Sequence, residues 1–177
     1  MFNGSKAESI DLTSFNTRNV TDMGNMFNSA EATTIIGLDT FNTGKVYTMA
    51  YMFNEVNVSS LDLSNFDTSN VTNMNLMFQE SNITSIKGLE NFNTSNVINM
   101  TGMFWGTKID VLDLSSFDTS NVEGISYMFY NSSATKVLGL EKFNTSKVTS
   151  MWGMFSGAAA EYIDVSSFDT SKVTDMH

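Results

Sequence analysis

The chain has no cysteine and no proline, and its single histidine, His177, is the last residue. Without Cys there is neither a disulfide framework nor a thiolate metal site, and one terminal His leaves almost no material for histidine-dependent catalysis or metal binding. Basic residues are also scarce. Nine Lys and Arg face 19 Asp and Glu, a net charge of -10 with no long run of either sign. That balance argues against nucleic acid and anionic membrane surfaces as partners. No apolar run reaches the roughly 18 residues needed to span a bilayer. The opening stretch from Met1 to Ser9 has neither the basic region nor the apolar core of a signal peptide.

What is present is repetition. Hydrophobic residues make up 41% of the chain, enough for a core, and 14 Phe and 13 Met dominate them. One Phe column runs Phe15, Phe41, Phe66, Phe92, Phe117, Phe143, Phe168, and a second runs Phe2, Phe27, Phe53, Phe78, Phe104, Phe129, Phe155. Met1, Met26, Met52, Met77, Met103, Met128 and Met154 precede the second column, and a further Met column follows a Val by three residues, with Ile125 as its one substitution. Core packing explains these Met columns better than a soft-metal site does.

Units begin near Ile10, Ile35, Leu61, Ile86, Leu112, Val137 and Ile163, and the period alternates between 25 and 26 residues. Odd units carry an alternating triplet such as Leu61-Asp62-Leu63, and even units insert a residue, as in Ile86-Lys87-Gly88-Leu89. Alternation at period two marks a strand with one face on the core, and the inserted Gly suits a bulge in that strand. Asn or Asp followed by Thr after each Phe of the first column marks a turn. Val71, Met74, Met77 and Phe78 have the spacing of a short strand followed by a helical turn. One unit cannot bury its apolar side chains alone, so parallel stacking is expected, with strands about 4.8 Å apart. Both ends cut through a unit. The expectation is therefore a single repeat domain over 1–177, an excised part of a longer array whose anchor lies elsewhere, with His177 either native or the start of a tag.

The stretch from Leu61 to Met74, followed by Met77-Phe78, resembles the BspA-like leucine-rich repeat surface proteins of bacteria. Ser-x-Phe-Asp-Thr-Ser-Asn/Lys-Val recurs at Ser64 to Val71, Ser115 to Val122 and Ser166 to Val173, so the resemblance covers essentially the whole chain. It implies a right-handed, parallel, β-rich solenoid of leucine-rich repeat type, about six full coils with short strands and helical turns. It also implies a secreted or cell-wall-attached adhesion module with no catalytic residues to transfer. Many relatives carry a Cys shortly after Met-Phe, where this chain has Ser29, Ser81 or Ser132.

Residues that break the repeat are the candidates for function. Trp105 and Tyr130 follow successive Met-Phe pairs, while Tyr127 and Trp152 lie just before Met-Phe in neighbouring units. The four are expected to form one patch on a single edge, a type of surface that anchors protein or sugar partners. Asp11, Asp62, Asp113 and Asp164 are expected to form an outward acidic ladder on the strand face, readable by a cation or a basic partner, or serving as a solvated face that keeps the sheet soluble. The Thr column from Thr17 to Thr170 is expected to satisfy its own turns rather than to form an ice-binding face. Glu31, Glu55 and Glu123 would have to converge across coils to support a carbohydrate-active enzyme on a β-helix.

The function expected from the sequence is a non-catalytic extracellular binding module of a bacterial surface adhesin, without cofactor or metal. Its partner would be a host matrix or cell-surface protein or glycan. The alternative is a structural spacer that holds a distal domain off the cell surface. Exposed apolar ends lead to an expectation of end-to-end self-association.

Overall fold

The computed structural model describes all of residues 1–177. Six short strands appear in chain order: β1 (Ser9–Asp11), β2 (Thr34–Ile36), β3 (Ser60–Asp62), β4 (Ser85–Lys87), β5 (Val111–Asp113) and β6 (Lys136–Leu138). They pair in parallel as β1–β2, β3–β4 and β5–β6, each residue of β1, β3 and β5 opposite the residue 25 further on, as Leu61 lies opposite Ile86. The central residue of each odd strand, Ile10, Leu61 and Leu112, points into the core, as the alternation predicts.

The inserted glycines do something other than form a bulge. Gly37, Gly88 and Gly139 sit just beyond the even strands at φ 88°, 93° and 91° and open the 3-10 helices Leu38–Thr40, Leu89–Asn91 and Leu140–Lys142. The extra residue is absorbed by a left-handed step, which glycine takes without the Cβ penalty. The step also brings two coils close. A Cβ on Gly88 would lie 2.4 Å from the Ser64 nitrogen and 2.6 Å from the Leu63 carbonyl carbon.

The Val-to-Phe segment is neither a regular strand nor a helix. Alternate N–H groups serve two purposes there. Met23, Asn25, Phe27 and Ser29 donate to the carbonyls of Thr48, Ala50, Met52 and Asn54 in the next coil, while Met26, Asn28 and Ala30 donate three residues back within their own coil. The result is a run of turns joined coil to coil, and its one regular β feature is a column of single parallel bridges from Asp22 through Thr48, Asn73, Asn99, Gly124 and Ser150 to Asp175. Such a run needs left-handed residues at fixed places. Asn25, Tyr51, Leu76, Gly102, Tyr127 and Gly153, each just before Met-Phe, all have φ between 55° and 60°.

Two columns hold the stack from inside. The rings of Phe2, Phe27, Phe53, Phe78, Phe104, Phe129 and Phe155 form one continuous ladder, with centroids 5.4 to 6.0 Å apart and planes within 15° of parallel. The Thr column, expected to serve its own turns, reaches the next coil instead. Thr68 Oγ1 donates to the Asn93 carbonyl at 3.0 Å and accepts from the Asn93 N–H at 2.8 Å, and Thr17, Thr43, Thr94 and Thr119 repeat the pattern. These hydroxyls are buried, Thr68 at 1% exposure, so they cannot form an outward-facing hydroxyl surface. No helix is long and apolar enough to cross a membrane.

Candidate functional site

The turn segments carry the repeat-breaking aromatics, and stacking brings all four together. Trp105 and Tyr127 lie 5.2 Å apart between ring centroids at 26°, and Tyr127 and Trp152 lie 5.3 Å apart at 45°. Tyr130 packs edge-on against both Trp105 (4.8 Å, 61°) and Tyr127 (5.6 Å, 76°). Trp105, Tyr127 and Tyr130 are half-buried, whereas Trp152 at the end of the row is 48% exposed. Offset and edge-on pairs of this kind add about 0.5–1.5 kcal/mol each beyond the area they bury, so the patch is pre-organised.

Glycines make the room for it. In the column just before Met-Phe, Gly102 lies beneath Leu76 and Gly153 beneath Tyr127. A Cβ on Gly153 would fall 2.7 Å from Tyr127 Cδ1, and one on Gly102 would fall 2.2 Å from Leu76 Cδ2. Bulky and bare residues thus alternate, and each bulky side chain leans over the bare position of the next coil. Sequence reasoning found the aromatics but not this floor. The signal was the run Leu76, Gly102, Tyr127, Gly153 at one repeat position.

Trp105 Nε1 is buried without an acceptor. An orphaned donor costs about 1–3 kcal/mol. The left-handed backbone of Tyr127, by contrast, does not distinguish the patch, since Tyr51 and Leu76 share it.

The acidic ladder has a local occupation. Asp11 accepts from the N–H and hydroxyl of Thr13, Asp62 from those of Ser64, Asp113 from the N–H of Ser115, and Asp164 from the N–H of Ser166. Asp62 also meets Lys87 Nζ at 2.7 Å. These bonds favour the ionised carboxylate. The Lys87 ammonium first, then the Ser64 hydroxyl and N–H, hold Asp62 down to about 2. Asp11 is lowered by the Thr13 backbone and hydroxyl, and Asp113 and Asp164 by their serines. The even strands interrupt the ladder, because Ile36, Lys87 and Leu138 lie opposite Asp11, Asp62 and Asp113.

The three glutamates singled out from the sequence are not brought together. Glu31 pairs with Lys6, Glu55 accepts from the Ser29 hydroxyl at 2.9 Å, and Glu123 lies in a separate polar groove with Asn121 and Lys147.

The repeat geometry has a counterpart in known sequences. The family described as "Mycoplasma protein of unknown function, DUF285" matches this chain three times, over residues 1–108, 57–138 and 107–177. The chain belongs to the DUF285 family. The overlapping matches together span the chain and fit a DUF285 protein built from one repeated unit. No curated protein and no solved structure matches it.

Proposed function

We propose that this DUF285 chain is a non-catalytic binding module of a bacterial surface adhesin, and that the patch of Trp105, Tyr127, Tyr130 and Trp152 is its contact with a host or neighbouring-cell protein or glycan. The reading includes a right-handed solenoid of the BspA-like leucine-rich repeat type, displayed outside the cell. One observation carries it: four aromatics drawn from three positions of the repeat fall into one partly exposed cluster. Rigid aromatic surface of this kind contributes contact area at a small entropy cost. Because Trp105 and Tyr127 turn their ring faces to each other, Trp152 offers the freest ring of the four.

The spacer reading has its own support in the unbroken Phe ladder, which makes the coils mechanically alike. A screen against immobilised glycans and matrix proteins separates the two, run with the chain and with its Trp105→Ala/Trp152→Ala variant, both shown folded by circular dichroism. Specific binding that the variant loses is the expected result. Binding that the variant keeps would move the site to another face, and silence from the folded chain would favour the spacer.

A further inference from the structure

Along the turn segments the coils are bonded one to the next, and the bridge column runs unbroken from Asp22 to Asp175. The strands pair only in twos, and no backbone hydrogen bond joins β2 to β3 or β4 to β5. The left-handed glycines account for this. Gly88 seats its coil against the Leu63–Ser64 backbone of the coil before, which draws β4 towards β3 and away from β5.

The walls of the β4–β5 gap carry free backbone groups. In a parallel pair, alternate residues aim N–H and C=O at the partner strand. Leu63 donates to Lys87 at 2.8 Å and Leu114 to Leu138 at 2.9 Å, so Lys87 faces β3 while Leu112 and Leu114 face β6. Residues of the opposite phase, Ile86 on one wall and Val111 and Asp113 on the other, therefore turn their N–H and C=O groups into the gap, and none has a backbone partner. The gap is a cleft with Ile86, Leu89 and Ile109 as its apolar lining and Glu90, Asp110 and Asp113 as its acidic residues.

The matching cleft between β2 and β3 is tied at both ends by side chains. Asn57 Nδ2 donates to the Glu31 carbonyl at 3.4 Å and Asn65 Nδ2 to the Asp39 carbonyl at 2.7 Å. At β4–β5 the residue equivalent to Asn65 is Ser116, exposed and with no side-chain hydrogen bond, so the second tie is missing.

We infer that the β4–β5 cleft takes an extended, basic segment of a partner polypeptide, which adds as a strand to the β5 wall through the backbone of Val111 and Asp113. Strand addition draws affinity from main-chain bonds and specificity from alternate side chains. Here one set of side chains would meet Leu89 and Ile109, and the other would meet Glu90, Asp110 and Asp113 on a chain of net charge -10. The cleft shares no residue with the aromatic patch, so the two can be tested apart.

The probe is a short synthetic peptide of alternating valine and lysine, titrated into the 177-residue chain and followed by residue-resolved amide hydrogen exchange. Bound peptide is expected to slow exchange at Val111 and Asp113 by about tenfold or more. A peptide N-methylated at alternate residues, unable to pair, should give no such protection. Ser116→Asn, which restores the missing tie, should weaken binding by about tenfold while leaving the circular dichroism unchanged. No detectable binding, equal binding of the N-methylated peptide, protection that falls outside the cleft, or a Ser116→Asn variant that binds as tightly as the parent would each overturn the inference.

Discussion

Replacing Gly88 by alanine puts a close backbone-to-backbone approach between two coils under direct load. The position has φ 93°, where an L residue costs about 1–2 kcal/mol. The new methyl would sit 2.4 Å from the Ser64 nitrogen and 2.5 Å from its Cα. Both obstacles are backbone, so neither can swing aside, and overpacking of this kind costs about 1–3 kcal/mol. The reduced freedom of the unfolded chain returns only about 0.4–1 kcal/mol, which leaves a net loss of about 1–5 kcal/mol, centred near about 3 kcal/mol. Gly24 is the control. It has no positive φ, and an added Cβ would meet only Asp22 Oδ1 at 3.1 Å and the Ala50 carbonyl oxygen at 3.3 Å, so alanine there should change stability by less than about 1 kcal/mol. Urea unfolding followed by circular dichroism reports all coils, while fluorescence of Trp105 and Trp152 reports the C-terminal ones. Because coils couple to nearest neighbours, Gly88→Ala should separate the two transitions, with circular dichroism changing first. A Gly88→Ala protein as stable as the parent, with coincident transitions, would show that the Ser64 backbone does not bar the added methyl.

Thr68→Val removes the hydroxyl that joins two coils and leaves the Asn93 N–H and C=O without it, so a loss of about 1–3 kcal/mol is expected in chemical denaturation, with Thr68→Ser close to the parent. Phe78→Ala, in the middle of the ring ladder, should cost about 3–5 kcal/mol, while Phe2→Ala at its end should cost clearly less; equal losses in thermal unfolding would contradict the ladder. Asp62 is depressed to about 2, so its contribution is complete above the ordinary carboxylate pKa and is lost as pH falls through about 2. Stability should thus decline on acidification below about pH 4, and a carboxyl carbon titration that places Asp62 at or above the ordinary value would contradict the Lys87 pairing.

The period, the two Phe columns and the inward face of each odd strand were legible because they follow from side-chain alternation and spacing, as at Leu61-Asp62-Leu63. The role of Gly88 was not, because a single extra residue is equally compatible with a bulge and with a left-handed step, and only the approach of Ser64 decides between them. Thr68 was misread for a related reason. Its hydroxyl can bond locally or across coils, and the choice depends on where the Asn93 backbone lies. The aromatic patch could be anticipated because Trp105 and Tyr130 share one repeat position while Tyr127 and Trp152 lie within about four residues of that position in neighbouring units, so stacked coils bring all four to one edge. The strand pairing in twos, and with it the β4–β5 cleft, could not, since it depends on how far each left-handed glycine draws its coil back.

Returning the aromatic patch to the repeat decides whether that patch makes this chain a binding module. Trp105→Asn, Tyr127→Asn, Tyr130→Asn and Trp152→Ala install the residues found at the equivalent positions Asn54, Asn25, Asn28 and Ala50. Asn is compatible with the left-handed backbone at residue 127, so the variant should fold as the parent does. Against an array of glycans and matrix proteins, the parent should bind a defined subset that the restored variant no longer binds. Equal binding by both proteins, with both shown folded, would show that it does not.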